Sequence, residues 1–127
     1  MMRLLLDTHA LIWWLTDNHR LSAPARAAIA DPNNLVMASA ASGYEIANKQ
    51  RLGRLSGRIA QDLPNALRQA RIPVHGLTLP HTIAAGLLPG PHRDPWDRLI
   101  MAQALTDDLT VVTVDPVFQE YALPICW

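Results

Sequence analysis

Residues 109–114 read LTVVTV, a run with no charged side chain and no alternating polar phase. A strand with one wet face alternates polar and apolar side chains, so this one is expected to be covered on both sides, as in parallel sheets clothed by helices. The rest of the chain fits that architecture, because short apolar runs alternate with helical segments. Strands are expected at residues 3–6, 35–38 and 110–114, with shorter ones near Val74 and Ile125. Helices are expected at 10–15, 23–29, 40–52 and 62–71, just after Pro80, at 95–105, and from the cap pair Asp115-Pro116 to 121. Ser22, Ser39 and Asp94 can accept the first free N–H groups as N-caps, Pro24 and Pro95 suit first turns, and Gly53 suits the left-handed residue that closes a helix. Helix 95–105 is apolar nearly all round and should be buried. The expected fold is an α/β sandwich around a parallel sheet, which binds ligands beyond the carboxyl ends of its strands.

A chain of 127 residues is long enough for one such domain and too short for two, so residues 1–127 are read as a single unit. Half of the residues are hydrophobic and 17% are charged, which excludes disorder. Eleven basic side chains balance eleven acidic ones, so no overall field draws the molecule to nucleic acid or to an anionic membrane. Any such partner must be held locally. The uncharged stretch 72–92 could span a bilayer by length, but its four prolines, three glycines and three histidines rule out a membrane helix. Cys126 has no second cysteine to pair with, and the opening MMRLLLD meets an acid after three leucines. Both features predict a reducing cytoplasm.

The acidic residues carry the chemistry. Asp7 ends the first strand and Asp115 ends the best one, so parallel strands would bring both to one edge of the sheet. Glu45 lies two turns into the helix after the second strand, and Asp97 lies in the first turn of the buried helix. Four carboxylates crowded together without a basic partner raise one another's pKa and call for a cation. Oxygen donors select Mg²⁺ or Mn²⁺. Structural roles compete with this reading: Asp94 and Asp115 each precede proline, as helix caps do, and Asp97 suits the positive end of a helix dipole. Capping is the stronger reading for Asp94, Asp115 can cap and ligate at once, and Asp7 has the weakest capping role because Thr8 could serve equally well.

The charges are unevenly placed. Residues 46–71 carry Lys49, Arg51, Arg54, Arg58, Arg68 and Arg71 against Asp62 alone, whereas residues 94–120 carry five aspartates and Glu120 against Arg98. A basic flank beside an acidic, metal-loaded hollow suits a phosphodiester, although each arginine taken singly reads as a solvated helix face. The histidines at 9, 19, 75, 81 and 92 show no paired zinc spacing and are read as surface or core residues. Cys126 is read as a small core filler.

Four blocks, LLDTHALIWWL at 4–14, SAASGYEIANKQRLGRL at 39–55, HRDPWDRLIMAQAL at 92–105 and LTVVTVDPVFQEY at 109–121, together resemble the successive blocks of a PIN-domain ribonuclease of the VapC toxin type. The resemblance implies a PIN-like α/β/α sandwich with a central parallel sheet and Mg²⁺-dependent endonucleolytic cleavage of RNA, with Mn²⁺ able to substitute. It also implies a homodimer and neutralisation by a cognate VapB-like antitoxin. By position it places the catalytic tetrad on Asp7, Glu45, Asp97 and Asp115, with Asp7, Asp97 and Asp115 as metal ligands, and puts the hydroxyls of Ser39 and Thr113 near the site. One departure is Gly43-Tyr44, where the family usually has a bulky or aromatic pair; a mid-helix glycine costs about 1 kcal/mol relative to alanine.

Rival readings fare worse. A receiver domain needs a lysine near the end of a late strand, and the one lysine, Lys49, lies on a mid-chain helix. A dehalogenase-like phosphatase needs an aspartate where His9 stands. The remaining alternative is a non-catalytic PIN-fold module that binds RNA or protein.

Overall fold

The computed structural model describes residues 1–91 and 94–127; His92 and Arg93, which open the block at 92–105, lie outside the described residues. In chain order the elements are β1 (Arg3–Leu6), α1 (Thr8–Leu15), α2 (Ala23–Ala30), β2 (Leu35–Ser39), α3 (Ala40–Arg51), α4 (Ile59–Ala70), β3 (Val74–His75), α5 (Leu79–Leu87), α6 (Pro95–Asp107), β4 (Thr110–Val112), α7 (Val117–Glu120) and β5 (Ile125–Cys126). All strand pairs are parallel, in the order β3-β2-β1-β4-β5.

The lack of a polar phase in the strands follows from this sheet. Leu4, Leu6, Val36, Ala38 and Val112 point to one face, where α1, α2 and α4 cover them through Leu11, Ile29, Leu63 and Leu67. Leu5, Met37 and Val111 point to the other, against Ile100 and Met101 of α6 and Phe118 of α7. The expected α/β/α sandwich is therefore observed. No helix among the described residues is long and apolar enough to cross a membrane. Cys126 is half-buried against the first core.

The caps fall where the sequence places them. Ser22 Oγ accepts from Ala25 N–H, Ser39 Oγ from Ala41 N–H, and Asp94 Oδ1 from Trp96 and Asp97 N–H, while Gly53 takes a left-handed φ of 74°. Three expectations need correction. Helix α4 starts at Ile59 rather than at Asp62, because Ile59, Leu63 and Leu67 form a stripe against the core that outweighs the bond lost at Pro64. Strand β4 stops at Val112, since Thr113 already turns its hydroxyl to Asp7 and Val114 is exposed. Helix α6 buries residues 100–104 but leaves Leu105 in solvent.

Candidate active site

After β1 the chain builds outward through β2 and β3, then returns to add β4 and β5 on the other side of β1. Connections leaving β1 and β4 diverge, which opens a crevice beyond their carboxyl ends. Asp7 follows β1 directly, its N–H bonded to Val112 O at 3.1 Å, and Thr113 and Asp115 follow β4.

Asp7 is 6% exposed. Its Oδ1 accepts from Ala10 N–H at 2.7 Å, and its Oδ2 accepts from Thr113 Oγ1 at 2.5 Å. Burial pushes its pKa up to about 6 from 3.8, and the charges of Glu45 and Asp115 push it further, while the bonds from Thr113 and Ala10 pull against them. Asp7 is thus the N-cap of α1, contrary to the expectation that Thr8 would serve equally well. Thr8 is instead buried and turned to Glu45. Its hydroxyl donates to Glu45 Oε1 at 2.5 Å and lies 2.9 Å from Ser42 Oγ, which must then donate to it. Lys49 Nζ lies 2.9 Å from Glu45 Oε2, one helical turn on. Glu45 therefore does have a basic partner.

Thr113 spends its one proton on Asp7, so its lone pair accepts the Asp115 N–H at 3.0 Å. Asp115 Oδ1 in turn accepts from Val117 N–H at 3.0 Å, so Asp115 caps the start of α7 while facing the crevice.

Asp7, Glu45, Asp97 and Asp115 all line one cavity of about 260 Å³. Asp94 lines it as well as capping α6, and Lys49 and Arg54 supply the basic side. Among the described residues, five carboxylates thus face Lys49 and Arg54. All-oxygen donors suit a hard divalent ion, and Asp7, Asp97 and Asp115 could hold one. The acids form no tight cage: among the described residues, the one group of three ligand atoms within 4.8 Å of one another lies elsewhere. Such spacing suits Mg²⁺, which keeps several waters among its ligands.

The model of the PIN domain matches residues 4–123. The chain belongs to the PIN-domain family. Solved structures agree on the fold. VapBC2 from Rickettsia felis, bound to a DNA fragment from its promoter, has a TM-score of 0.69 at 16% identity, covering 98% of this chain and 97% of that one. FitAB bound to a DNA fragment has a TM-score of 0.66 at 21% identity, with coverage of 96% and 92%. VapBC-1 from nontypeable Haemophilus influenzae has a TM-score of 0.65 at 19% identity, with coverage of 98% and 96%. Among curated proteins none matches significantly.

In this PIN domain some neighbours of the acids were not foreseen. Thr8, His9, Asn48 and Trp96 line the cavity beside them. His9 and Asn48 had a legible signal, since His9 lies two residues from Asp7, the cap of its helix, and Asn48 lies three residues from Glu45 on α3. The Thr8 link to Glu45 joins residues 37 apart and has no local signal. Ser39 is not a cavity residue: its hydroxyl donates to Oε1 of the buried Gln103, whose amide donates to the carbonyls of His75 and Gly76, so it ties β2 to α6. Of the six bases in residues 46–71, Lys49 and Arg54 reach the cavity.

The tight group of three ligand atoms is His75, His81 and Asp107. Both imidazole Nε2 atoms contact Asp107 Oδ2, at 2.6 and 2.7 Å, and hold its carboxyl below the usual range, His75 most strongly. Thr78 N–H donates to His81 Nδ1 at 3.0 Å, so the ring proton sits on Nε2. A metal-bound imidazole has the reverse arrangement, with the second nitrogen donating outward. This group is a hydrogen-bonded clamp joining β3, α5 and α6.

Proposed function

We propose that this PIN domain is a Mg²⁺-dependent endoribonuclease, the toxin of a toxin–antitoxin pair, acting in the cytoplasm, with Mn²⁺ able to substitute. The observation that carries this reading is the convergence of Asp7, Glu45, Asp97 and Asp115 on one cavity at the switch point of the sheet, beside Lys49 and Arg54. Asp7, Asp97 and Asp115 are the residues to hold the ion, which when bound lowers the pKa of a water and offsets charge on the phosphate. Glu45, fixed by Thr8 and Lys49, faces the same space as an acceptor for the proton of the attacking water. Lys49 and Arg54 hold the RNA backbone. Thr113 sets the orientation of Asp7 and the start of the Asp115 turn together.

Incubating total RNA with the purified chain and mapping the 5′ ends of the products tests this. Discrete cleavage that needs Mg²⁺ and stops in excess EDTA is expected. Cleavage that persists in EDTA would refute the metal mechanism, and tight RNA binding without cleavage would favour the non-catalytic module.

Two surface features support the proposed partners. Leu79, Ile83 and Leu87 stand at helical spacing on α5, 72%, 53% and 78% exposed, a stripe that a second copy would cover in a homodimer. Light scattering should give near 28 kDa, twice the 14.0 kDa chain. Ile83→Glu should bring it to the chain mass, and a monomeric parent protein would contradict the dimer. A second apolar groove, between α1 and α4 and lined by Ile12, Leu15, Leu55, Ile59 and Leu63, suits the cognate antitoxin. The similar structures, VapBC and FitAB assemblies, support such a partner.

A further inference from the structure

The residue before each of two cavity acids is aromatic. Tyr44 precedes Glu45 on α3 and Trp96 precedes Asp97 on α6, and their rings meet with centroids 4.4 Å apart and planes 30° apart. Trp96 forms part of the cavity wall, half-buried, whereas Tyr44 is 59% exposed. A pair that served only to seal α3 against α6 would hide both rings. Here one ring is anchored in the cavity wall, and the other lies against it and is open to solvent.

We propose that Tyr44, backed by Trp96, is a stacking platform for one unpaired nucleobase of the RNA whose neighbouring phosphate enters the acidic cavity. The inference rests on the nucleic-acid reading above and extends it to the substrate: the strand must be unpaired at that base. Three features of the place favour a nucleobase over another apolar group. An exposed aromatic face accepts any base by stacking. Lys49 and Arg54, on the cavity that Trp96 walls, supply the cations that a strand's backbone needs beside the stacked base. A paired base is already stacked in its duplex and cannot reach a ring set in this position without being pulled out. Tyr44 and Trp96 are therefore positioning residues, and the reacting atoms lie with the acids.

Fluorescence anisotropy with a labelled short single-stranded RNA tests the platform. All proteins would carry Asp7→Asn, so that the RNA is not cut during the measurement. Tyr44→Ala, and Tyr44→Leu, which keeps bulk but loses the π face, should weaken binding about tenfold, the effect of losing one base–aromatic stack. Tyr44→Phe should bind as the parent does. A hairpin duplex of the same sequence should bind the parent about as weakly as single strand binds Tyr44→Ala. Unchanged affinity in both Tyr44→Ala and Tyr44→Leu would overturn the proposal, as would a duplex that binds as well as the single strand, or no binding of single strand by the parent. The Mg²⁺ cleavage assay with native Asp7 separates the two readings. Tyr44-dependent binding without any cleavage would refute the nuclease and keep the platform, whereas Mg²⁺-dependent cleavage with a KM unaffected by Tyr44→Ala would do the reverse.

Discussion

Asp7→Asn should lower RNA cleavage by roughly 10³-fold or more and, in the metal-free protein, raise the thermal midpoint at neutral pH. The first follows from the loss of a metal ligand, the second from burial of the carboxylate. The Asp7 pKa stands near 6 in the fold against 3.8 ordinarily, so the folded state prefers the proton more than the unfolded state does. The stability this contributes is fully present below pH 3.8 and is lost as pH rises through about 6. At neutral pH the charged carboxylate therefore costs the empty fold roughly 1–3 kcal/mol, which an uncharged asparagine of the same shape recovers in part. Thr113 and Ala10 can still bond the amide oxygen or meet its N–H₂ group by turning the threonine hydroxyl. Differential scanning calorimetry in EDTA and a cleavage assay in Mg²⁺ check the two halves. An asparagine variant that is less stable than the parent in EDTA would show that the carboxylate is not under electrostatic strain.

The second large effect is on metal affinity. A ligand must be deprotonated to bind, so proton and ion compete for Asp7. Mn²⁺ affinity should be nearly constant above neutral pH and fall about tenfold for each pH unit below 6, the proton being favoured there by the same burial. Saturating Mn²⁺ should in turn remove the loss of stability that the empty protein shows as pH rises through 6. Isothermal titration over the acid range reads the slope directly. An affinity independent of pH down to 5 would mean that Asp7 is not a ligand.

Much of this architecture is written locally. Leu4, Leu5 and Leu6 are fully buried, and a strand covered on both faces leaves an unbroken apolar run that the eye can find. Asp94-Pro95 and Ser22 announce their helices because a cap and its first turn are neighbours in sequence. The convergence of Asp7 and Asp115 was legible for a related reason: both end parallel strands, and parallel strands share an edge. What was not legible depends on distant partners. The choice of Asp7 over Thr8 as the cap is settled by Glu45 and Ser42, which draw the threonine hydroxyl away. Ser39, which the resemblance placed near the site, is captured by Gln103. The start of α4 was hidden by Pro64, whose local penalty is overruled by tertiary burial of Leu63 and Leu67.

Electron paramagnetic resonance with Mn²⁺ near neutral pH tests the central claim most directly, because it counts bound ion without requiring the right RNA. The full chain should show a saturable site that weakens at least about tenfold in Asp7→Asn and in Asp115→Asn. Asp107→Asn, in the clamp with His75 and His81, should leave it unchanged. Equal Mn²⁺ binding by the parent protein, Asp7→Asn and Asp115→Asn would contradict the account, as would a site lost on changing Asp107 alone.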